Sequence, residues 1–210
     1  MNVPEGPQTA ASPTADQSGC GQAAAAAAAR RPEARPASEP PGRPAGEPPG
    51  DRRTLQVAVV GPDDDACTPT DIQAALAVGA GLARRGFTVV TGGLGGVMAA
   101  SCRGAYEGGG LTVAILPGVD SAAANPWSRI VLATGLGQAR NVVVAQAGFC
   151  VIAIGYSWGT ASEMALAARS GIPVVRIGET IIDGAVSLPG ITRVPTASAA
   201  LATVERIHRT

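Results

Sequence analysis

Apolar residues occur along this chain in short continuous runs from Leu55 onward, and stretches with helical periodicity lie between most of them. Continuous apolar runs are typical of strands that are buried on both faces, and therefore of a parallel sheet. Gly86 and Gly171 stand where two of the helices should end. The predicted strands are Leu55–Val60, Phe87–Thr91, Leu111–Leu116, Arg129–Ala133, Phe149–Ile154 and Pro173–Ile177. The predicted helices are Pro69–Arg85, Gly96–Glu107, Gln138–Ala147, Ser162–Ser170 and Thr196–His208.

This alternation of strands and helices predicts an α/β fold, namely a Rossmann-like doubly wound, mostly parallel sheet flanked by helices. In such a sheet, ligands bind at the carboxyl ends of the strands. The glycine-rich loops at 91–98 and 155–160 each follow one of the predicted strands. We therefore expect the candidate binding loops to lie along one edge of the sheet.

The most informative segment is RNVVVAQAGFCVIAIGYSWGTASE, which runs from Arg140 to Glu163. An apolar strand leads into a loop of glycine and hydroxyl residues at 155–160, and a helix follows. The free N–H groups at the start of a helix bind phosphate or carboxylate. Arg140 and Glu163 are the charges that flank this apolar passage. A cation and a carboxylate beside an anion-binding loop predict a nucleotide or sugar-phosphate site.

A second glycine-rich loop, TGGLGGVM, spans residues 91–98 and lets the backbone approach a ligand closely. Its glycines could also form only a tight turn between a strand and a helix. A dinucleotide-binding fingerprint fits poorly, because Asp63–Asp65 after the first strand would repel a pyrophosphate and no acid ends the second strand. A third candidate loop contains Leu116-Pro117-Gly118, with Asn125-Pro126 shortly after it.

Residues 1–53 differ sharply in composition from the rest of the chain. They contain ten of the seventeen prolines and no aromatic residue. Such a segment cannot bury enough apolar surface to offset the entropy of ordering it. We therefore predict a disordered tail rich in Ala, Pro, Gly and Arg over residues 1–53, and a single Rossmann-like nucleotide-binding domain over residues 54–210. A start codon assigned too far upstream is another explanation for the tail.

Charge and composition exclude several classes of protein. Sixteen basic and sixteen acidic residues balance, so we expect no nucleic-acid partner. All the basic residues are Arg, and the absence of Lys excludes a P-loop and a pyridoxal-phosphate enzyme. The single histidine, His208, lies two residues from the end, which argues against a Ser-His-Asp triad or a His-built zinc site. We predict no metal site.

The cellular setting is predicted from cysteine spacing and from the hydropathy of the chain. The four cysteines lie far apart without a C-x-x-C pair, which is typical of free thiols in a reducing cytosol. The first residues lack the pattern of a signal peptide, and no apolar run reaches about 18 residues. We expect a cytosolic protein without a membrane partner.

Four segments in order, VVTGGLGGVMAASCRGAYEGGG, VAILPG, TGLGQARN and GYSWGTASEMALAARSGIPVV, resemble the LOG-like Rossmann family. That family includes cytokinin riboside 5′-monophosphate phosphoribohydrolases and a branch with molybdenum-cofactor carrier proteins, and the resemblance covers about residues 55–178. The family signature is PGGxGTxxE with an Arg upstream. Gly159, Thr160 and Glu163 match this signature, and Arg140 stands at the position of the family's catalytic Arg.

The chain also departs from the family signature. Gly155 replaces its Pro, Tyr156 and Ser157 replace its two Gly, and Asn141 follows Arg140 where the family has Lys. The loop is therefore bulkier than in the phosphoribohydrolases. Proteins of this superfamily are often labelled lysine decarboxylases, and the absence of Lys rules out the pyridoxal chemistry that this label implies.

The resemblance implies a protein that binds a nucleotide or another small phosphorylated ligand and needs no cofactor of its own. In the enzymatic version, it hydrolyses the N-glycosidic bond of nucleoside 5′-monophosphates, and Arg140 and Glu163 are catalytic. In the other version, it carries a nucleotide or a molybdopterin-type ligand, such as the molybdenum cofactor, without turnover. The predicted phosphate- or nucleotide-binding residues are Gly92, Gly93, Gly95, Gly96, Asn141, Gly155, Ser157, Gly159 and Thr160.

Several of these residues have alternative roles. Thr160 and Glu163 also fit an S/T-x-x-E capping box, in which Glu163 would only stabilise the start of a helix. Arg140 could be a surface charge of its helix. Tyr156 and Trp158 could stack on a base or close a subunit interface. The helices Gln138–Ala147 and Ser162–Ala168 are rich in Ala and Val, and together with the family habit they predict a homodimer or higher homo-oligomer.

Overall fold

The structure, a computed structural model, describes residues 55–178 and 190–210. The tail predicted over residues 1–53 lies outside the described residues. The strands are β1 Gln56–Val60, β2 Thr88–Thr91, β3 Thr112–Leu116, β4 Ile130–Ala133, β5 Cys150–Ile154, β6 Val174–Ile177 and β7 Ile191–Val194. The helices are α1 Pro69–Arg84, α2 Gly96–Glu107, α3 Asn141–Gln146, α4 Trp158–Arg169 and α5 Ala197–His208, with short 3-10 turns at Ser121–Ala123 and Gly137–Arg140.

The strands form one sheet in the order β4-β3-β2-β1-β5-β6-β7, and all neighbouring pairs are parallel. This confirms the predicted α/β, Rossmann-like fold. The chain winds outward from β1 to β4 on one side, and then from β5 to β7 on the other. The order reverses between β1 and β5, where Val57 pairs with Cys150 and Val60 with Ala153. A reversal of this kind opens a crevice at the carboxyl ends of the two strands, where such sheets bind ligands.

Two apolar layers hold the helices on the two faces of the sheet. On one face, the side chains of Val57, Val59 and Ile152 pack with those of α1, α2 and α5. On the other face, Val60 and Val151 pack with α3 and α4. Because the strands are buried on both sides, the continuous apolar runs in the sequence are explained.

One strand and the bounds of two helices differ from the predictions. The strand β7 was not predicted, because its four residues ITRV lie at the edge of the sheet and are partly or largely exposed. The predicted helix Gln138–Ala147 consists of a 3-10 turn and a short α-helix. The helix α4 begins at Trp158 rather than at Ser162, because Ser157 caps it. The other predicted elements are present with ends shifted by one residue at most.

Two properties of the described residues bear on the setting of the protein. No helix in residues 55–178 and 190–210 is long and apolar enough to cross a membrane. Cys67, Cys102 and Cys150 are free thiols, and the last two are buried. Burial raises the pKa of the Cys150 thiol to about 12, which keeps it protonated and unreactive.

Candidate functional site

The loops that follow β2 and β5 meet the 3-10 turn Gly137–Arg140 at the carboxyl edge of the sheet. The end of β2 supplies Gly92, and the loop after β5 leads into α4, which carries Glu163. The Arg140 side chain lies against both Gly92 and Glu163. The structure therefore gathers residues that are far apart in the sequence around one buried guanidinium group.

The start of α4 has two backbone donors that remain open. The Ser157 side chain caps the helix, and its hydroxyl accepts a hydrogen bond from the Thr160 N–H at 3.1 Å. The hydroxyl groups of Ser157 and Thr160 lie 2.9 Å apart. Among the described residues, the N–H groups of Trp158 and Gly159 have no acceptor. A Cβ placed on Gly159 would meet only the Ser157 hydroxyl, at 3.5 Å, so the space beside this glycine is open. An anion can approach these two N–H groups directly.

Glu163 does not belong to a capping box, and that alternative is wrong. Since α4 begins at Trp158, Glu163 lies in the second turn of the helix, away from its cap. Its side chain is buried and faces Arg140, with 3.3 Å between Oε1 and Nη1. Glu163 follows Gly159 by four residues, which places both on the same side of α4, about 6 Å apart along its axis.

Arg140 is a buried cation whose hydrogen bonds are incomplete. Only 6% of the residue is exposed, so the alternative role as a surface charge is wrong. Its Nη1 bonds to Glu163, but its Nε is buried and has no partner in the described part of the chain. Buried N–H groups are almost always satisfied in native proteins, and an exception calls for a missing partner. A bound anion is the kind of partner that a guanidinium group accepts.

Gly92 makes room for this guanidinium group. A Cβ at this position would overlap Nη1 and Nη2 of Arg140. Gly93 adopts a φ of 81° and packs against Ala114 and Leu116, so it also has to be glycine. The first half of the glycine-rich loop therefore shapes the wall against which the Arg140 side chain lies.

The second half of the same loop is already occupied by a carboxylate of the protein. Asp64 Oδ1 accepts a hydrogen bond from the Gly96 N–H at 2.7 Å, and a Cβ on Gly95 would overlap Asp63 and Asp64. The Val97 N–H donates to the Pro62 carbonyl at 3.0 Å. The donors at the start of α2 are thus engaged, unlike those at the start of α4. Sequence reasoning missed this contact because 32 residues separate Asp64 from Gly96.

The remaining predicted residues support the site without presenting open donors to it. Gly155 has a φ of 66° and turns the chain out of β5 beside the Asp71 carboxylate. Asn141 donates from Nδ2 to the Ser162 hydroxyl at 2.9 Å, which ties α3 to α4. These contacts fix the loop and the two helices that surround Arg140.

The aromatic residues of the loop lie at its outer surface. Trp158 is 84% exposed, and its ring centroid lies 6.3 Å from that of Tyr156. A groove of about 750 Å³ runs between α3 and α4, and its lining includes Gln138, Asn141, Trp158 and Gly159. This volume is within the range of sites for small molecules. Trp127, in contrast, packs against Tyr106 and Arg103, away from this groove.

Burial sets the protonation of the Arg140–Glu163 pair. It raises the pKa of the Glu163 carboxyl to about 7, although the Arg140 cation acts in the opposite direction. Burial also lowers the pKa of the Arg140 guanidinium, and this effect is opposed by Glu163 and by Asp63. Glu163 can therefore hold or release a proton near neutral pH, while Arg140 supplies positive charge.

This shift predicts a pH dependence of stability that belongs to Glu163. Because the folded state raises its pKa from 4.5 to about 7, the folded protein holds the proton more tightly than the unfolded chain does. The stabilisation of the folded state by the protonated Glu163 carboxyl is fully present below about pH 4.5 and is lost as the pH rises to about 7. Relative to the parent, Glu163→Gln should therefore gain about 3 kcal/mol of unfolding free energy across this range. Denaturant unfolding of both proteins at several pH values measures this difference. If the unfolding free energies of the two proteins change in parallel with pH, Glu163 is not the group responsible.

Comparison with known proteins places these features in a family. The family model described as the SLOG cluster4 family matches residues 54–202. An uncharacterized protein from Archaeoglobus fulgidus is 36% identical over 130 residues, which cover 62% of this chain and 84% of that protein. The residues matched by the family model include the strands and loops that form the site.

Two solved structures are similar over nearly their whole length. The molybdenum cofactor binding protein from the phototrophic bacterium Rippkaea orientalis is 30% identical with a TM-score of 0.70, and the alignment covers 75% of this chain and 99% of that one. The molybdenum cofactor carrier protein from Chlamydomonas reinhardtii is 29% identical with a TM-score of 0.70, over 75% of this chain and 100% of that one.

Proposed function

The chain belongs to the SLOG cluster4 family, and on that basis we propose that it binds a small phosphorylated ligand at the start of α4 and carries it without turnover. The ligand class is a nucleotide or a molybdopterin-type compound such as the molybdenum cofactor. The observation that carries the proposal is Arg140, a buried cation with an unsatisfied Nε beside an open helix start.

The start of α4 is the best place for the phosphate. The start of α1 already holds the carboxylate of Asp71 in a capping box with Thr68, and the start of α2 holds Asp64. The cap of α4 is the neutral hydroxyl of Ser157, and its first turn contains no acidic residue. The partial positive charge of a helix start favours an anion only where no carboxylate of the protein occupies it.

Arg140 and Glu163 would then complete the site. A phosphate oxygen near the N–H groups of Trp158 and Gly159 would lie a little more than one helical turn from Glu163, on the side of α4 that faces the Arg140 guanidinium. A charge-assisted hydrogen bond from the Arg140 guanidinium to the phosphate would complete the site, and a shift of the side chain would bring its buried Nε to the ligand. The heterocyclic part of the ligand would extend into the groove between α3 and α4, along Trp158.

The relatives support carriage over catalysis. Proteins described as binding or carrying the molybdenum cofactor match this chain along 99% and 100% of their own lengths. The loop before α4 also carries Tyr156 and Ser157, where the family's hydrolytic signature has two glycines.

A second candidate function is hydrolysis of nucleoside 5′-monophosphates, which is favoured by the pKa of Glu163, about 7. In that reaction the bond between C1′ of the ribose and the base nitrogen breaks, and the base leaves with the bonding electrons and a proton. Water supplies a hydroxyl group to C1′ and gives ribose 5-phosphate. An ionised Glu163 would stabilise the oxocarbenium-like transition state and orient the water.

One experiment separates the two functions. The purified protein is incubated with a panel of nucleoside 5′-monophosphates, and free base is measured by chromatography while binding is measured by equilibrium dialysis. Carriage predicts binding that requires the phosphate, without release of base between pH 6 and 9. Release of base that is lost in Glu163→Gln would establish the hydrolase instead. An absence of binding to any phosphorylated ligand, including molybdopterin, would contradict both.

We also propose that the protein is a homodimer through the β4–α3 patch, which consists of Ile130, Leu132, Leu136, Val142 and Val143. All five apolar side chains are exposed, with Val142 and Val143 each at 38%. We expect light scattering at micromolar concentration to show a dimer for the parent and a monomer for Val143→Arg, because a charge would be buried in the interface. Leu55→Arg, at a position of 37% exposure just before β1 and three strands away from β4, is the matched control and should stay dimeric. A monomeric parent would overturn this proposal.

A further inference from the structure

We infer that Asn125 is a positioning residue, which fixes the turn at residues 92–94 and through it the guanidinium group of Arg140. The inference rests on the proposed function only for its consequence in ligand binding. Its geometric part concerns the free protein. Asn125 follows the third candidate loop of the sequence, which contains Leu116-Pro117-Gly118.

The Asn125 side chain joins two segments that are distant in the sequence. Its Nδ2 donates to the carbonyl groups of Gly93, at 3.1 Å, and Leu94, at 3.2 Å. Its own backbone N–H donates to the Gly93 carbonyl at 2.8 Å. The residue is buried, with 8% exposed. Three donors from one residue thus hold two adjacent carbonyl groups of the turn.

The orientation of the Asn125 amide is fixed from the other side. Its Oδ1 accepts from the Trp127 N–H and from the Ser128 hydroxyl, each at 3.2 Å. This pattern requires the amide nitrogen to face the turn and the oxygen to face away from it. Thr91 also holds this turn, since its hydroxyl accepts a hydrogen bond from the Gly93 N–H at 3.1 Å.

The turn at residues 92–94, which Asn125 holds, lies directly against the guanidinium group of Arg140. Gly92 precedes the two clamped carbonyl groups, and its Cα lies so close to the Arg140 guanidinium that a Cβ would overlap Nη1 and Nη2. A turn that relaxed by a fraction of an ångström would push the guanidinium or release it. The contact of 3.3 Å between Arg140 Nη1 and Glu163 Oε1 would then change.

A matched control contacts the same loop from strand β3. Thr112 also holds the segment after Asn125, because its hydroxyl donates to the Trp127 carbonyl at 2.7 Å and accepts from the Arg129 N–H at 2.9 Å. It makes no hydrogen bond to the glycine turn. Thr112→Val should therefore cost stability without moving Arg140, whereas Asn125→Ala should do both.

The test measures the carboxyl group of Glu163 in the ligand-free protein. We expect carbon NMR, assigned with Glu163→Gln, to show the pKa of Glu163 raised by about one unit in Asn125→Ala, since the nearby cation would be displaced. Thr112→Val should leave this pKa at the parent value. Equal pKa values in the parent and in Asn125→Ala, or equal shifts in both variants, would overturn the inference.

Two further measurements keep the test decisive. If Asn125→Ala does not fold, Ser128→Ala replaces it and should raise the pKa by a smaller amount, because it removes only one bond to the amide oxygen. No rise in Ser128→Ala would then overturn the inference. Affinity for AMP should fall by about tenfold in Asn125→Ala, which corresponds to about 1.4 kcal/mol. If Asn125→Ala shows the rise in the pKa of Glu163 while the parent binds neither AMP nor any other phosphorylated ligand, the proposed function is overturned and the positioning role stands.

Discussion

Gly159→Asp should abolish binding of the phosphorylated ligand while leaving the protein as stable as the parent. The new carboxylate would lie in the open space beside the N–H groups of Trp158 and Gly159, and would occupy the place of the phosphate. An acidic residue in the first turn of a helix is itself stabilising, by about 0.3–1 kcal/mol. Loss of binding would thus not be accompanied by loss of folding.

Thermal unfolding with and without AMP measures this prediction. At a ligand concentration of about 100 times Kd, the parent should gain about 2.7 kcal/mol of apparent stability and melt several degrees higher. Gly159→Asp should show no such shift. Gly118→Asp makes the same charge change at a glycine with no atoms near its Cβ position, after β3, and should behave as the parent. An equal shift in Gly159→Asp and the parent would place the phosphate elsewhere, with the 92–96 loop as the next candidate.

Glu163→Gln should have the second large effect, and it depends on which function is correct. The variant keeps the shape of the side chain and removes its negative charge beside Arg140. If the protein hydrolyses nucleoside monophosphates, turnover should fall by a factor on the order of 100 or more, with binding nearly unchanged. If the protein is a carrier, there is no turnover to lose, and AMP should bind at least as well, because a negative charge near the phosphate has been removed.

The affinity and the rate are measured on the same preparations, by calorimetry and by release of base. Arg140→Gln is the complementary variant, since it removes the cation and leaves the carboxylate. Its affinity for AMP should fall by about tenfold or more, as a charge-assisted hydrogen bond is lost. Unchanged affinity in Arg140→Gln would show that the guanidinium does not contact the phosphate.

The fold was largely predictable because its pattern is local. Six continuous apolar runs and the helices between them indicate strands buried on both faces, whatever the details of packing. The missed strand β7 has only four residues, at an edge where one neighbour suffices, so its sequence carries little of that pattern. The start of α4 was misplaced by four residues because Trp158 and Gly159 are weak helix formers, and the cap at Ser157 decides the boundary.

The candidate site was predictable only in part. The pairing of Arg140 with Glu163 follows from two charges in an apolar passage, and the structure places them in contact. The contacts of Asp64 with Gly96 and of Asn125 with Gly93 each join residues 32 positions apart, and no local pattern encodes them. The Asp64 contact occupies the start of α2 and so determines which of the two glycine-rich loops stays open. That distinction depends on tertiary packing rather than on the motif.

Binding of the phosphate to the backbone N–H groups at the start of α4 can be observed residue by residue with amide NMR. Nitrogen-15-labelled protein is titrated with AMP and, separately, with adenosine, which lacks the phosphate. We expect the amide signals of Trp158 and Gly159 to shift strongly with AMP and little with adenosine, while those of Gly95 and Gly96, close to the Asp64 carboxylate, stay near their original positions. Large shifts at Gly95 and Gly96 with none at Gly159 would contradict binding at the start of α4.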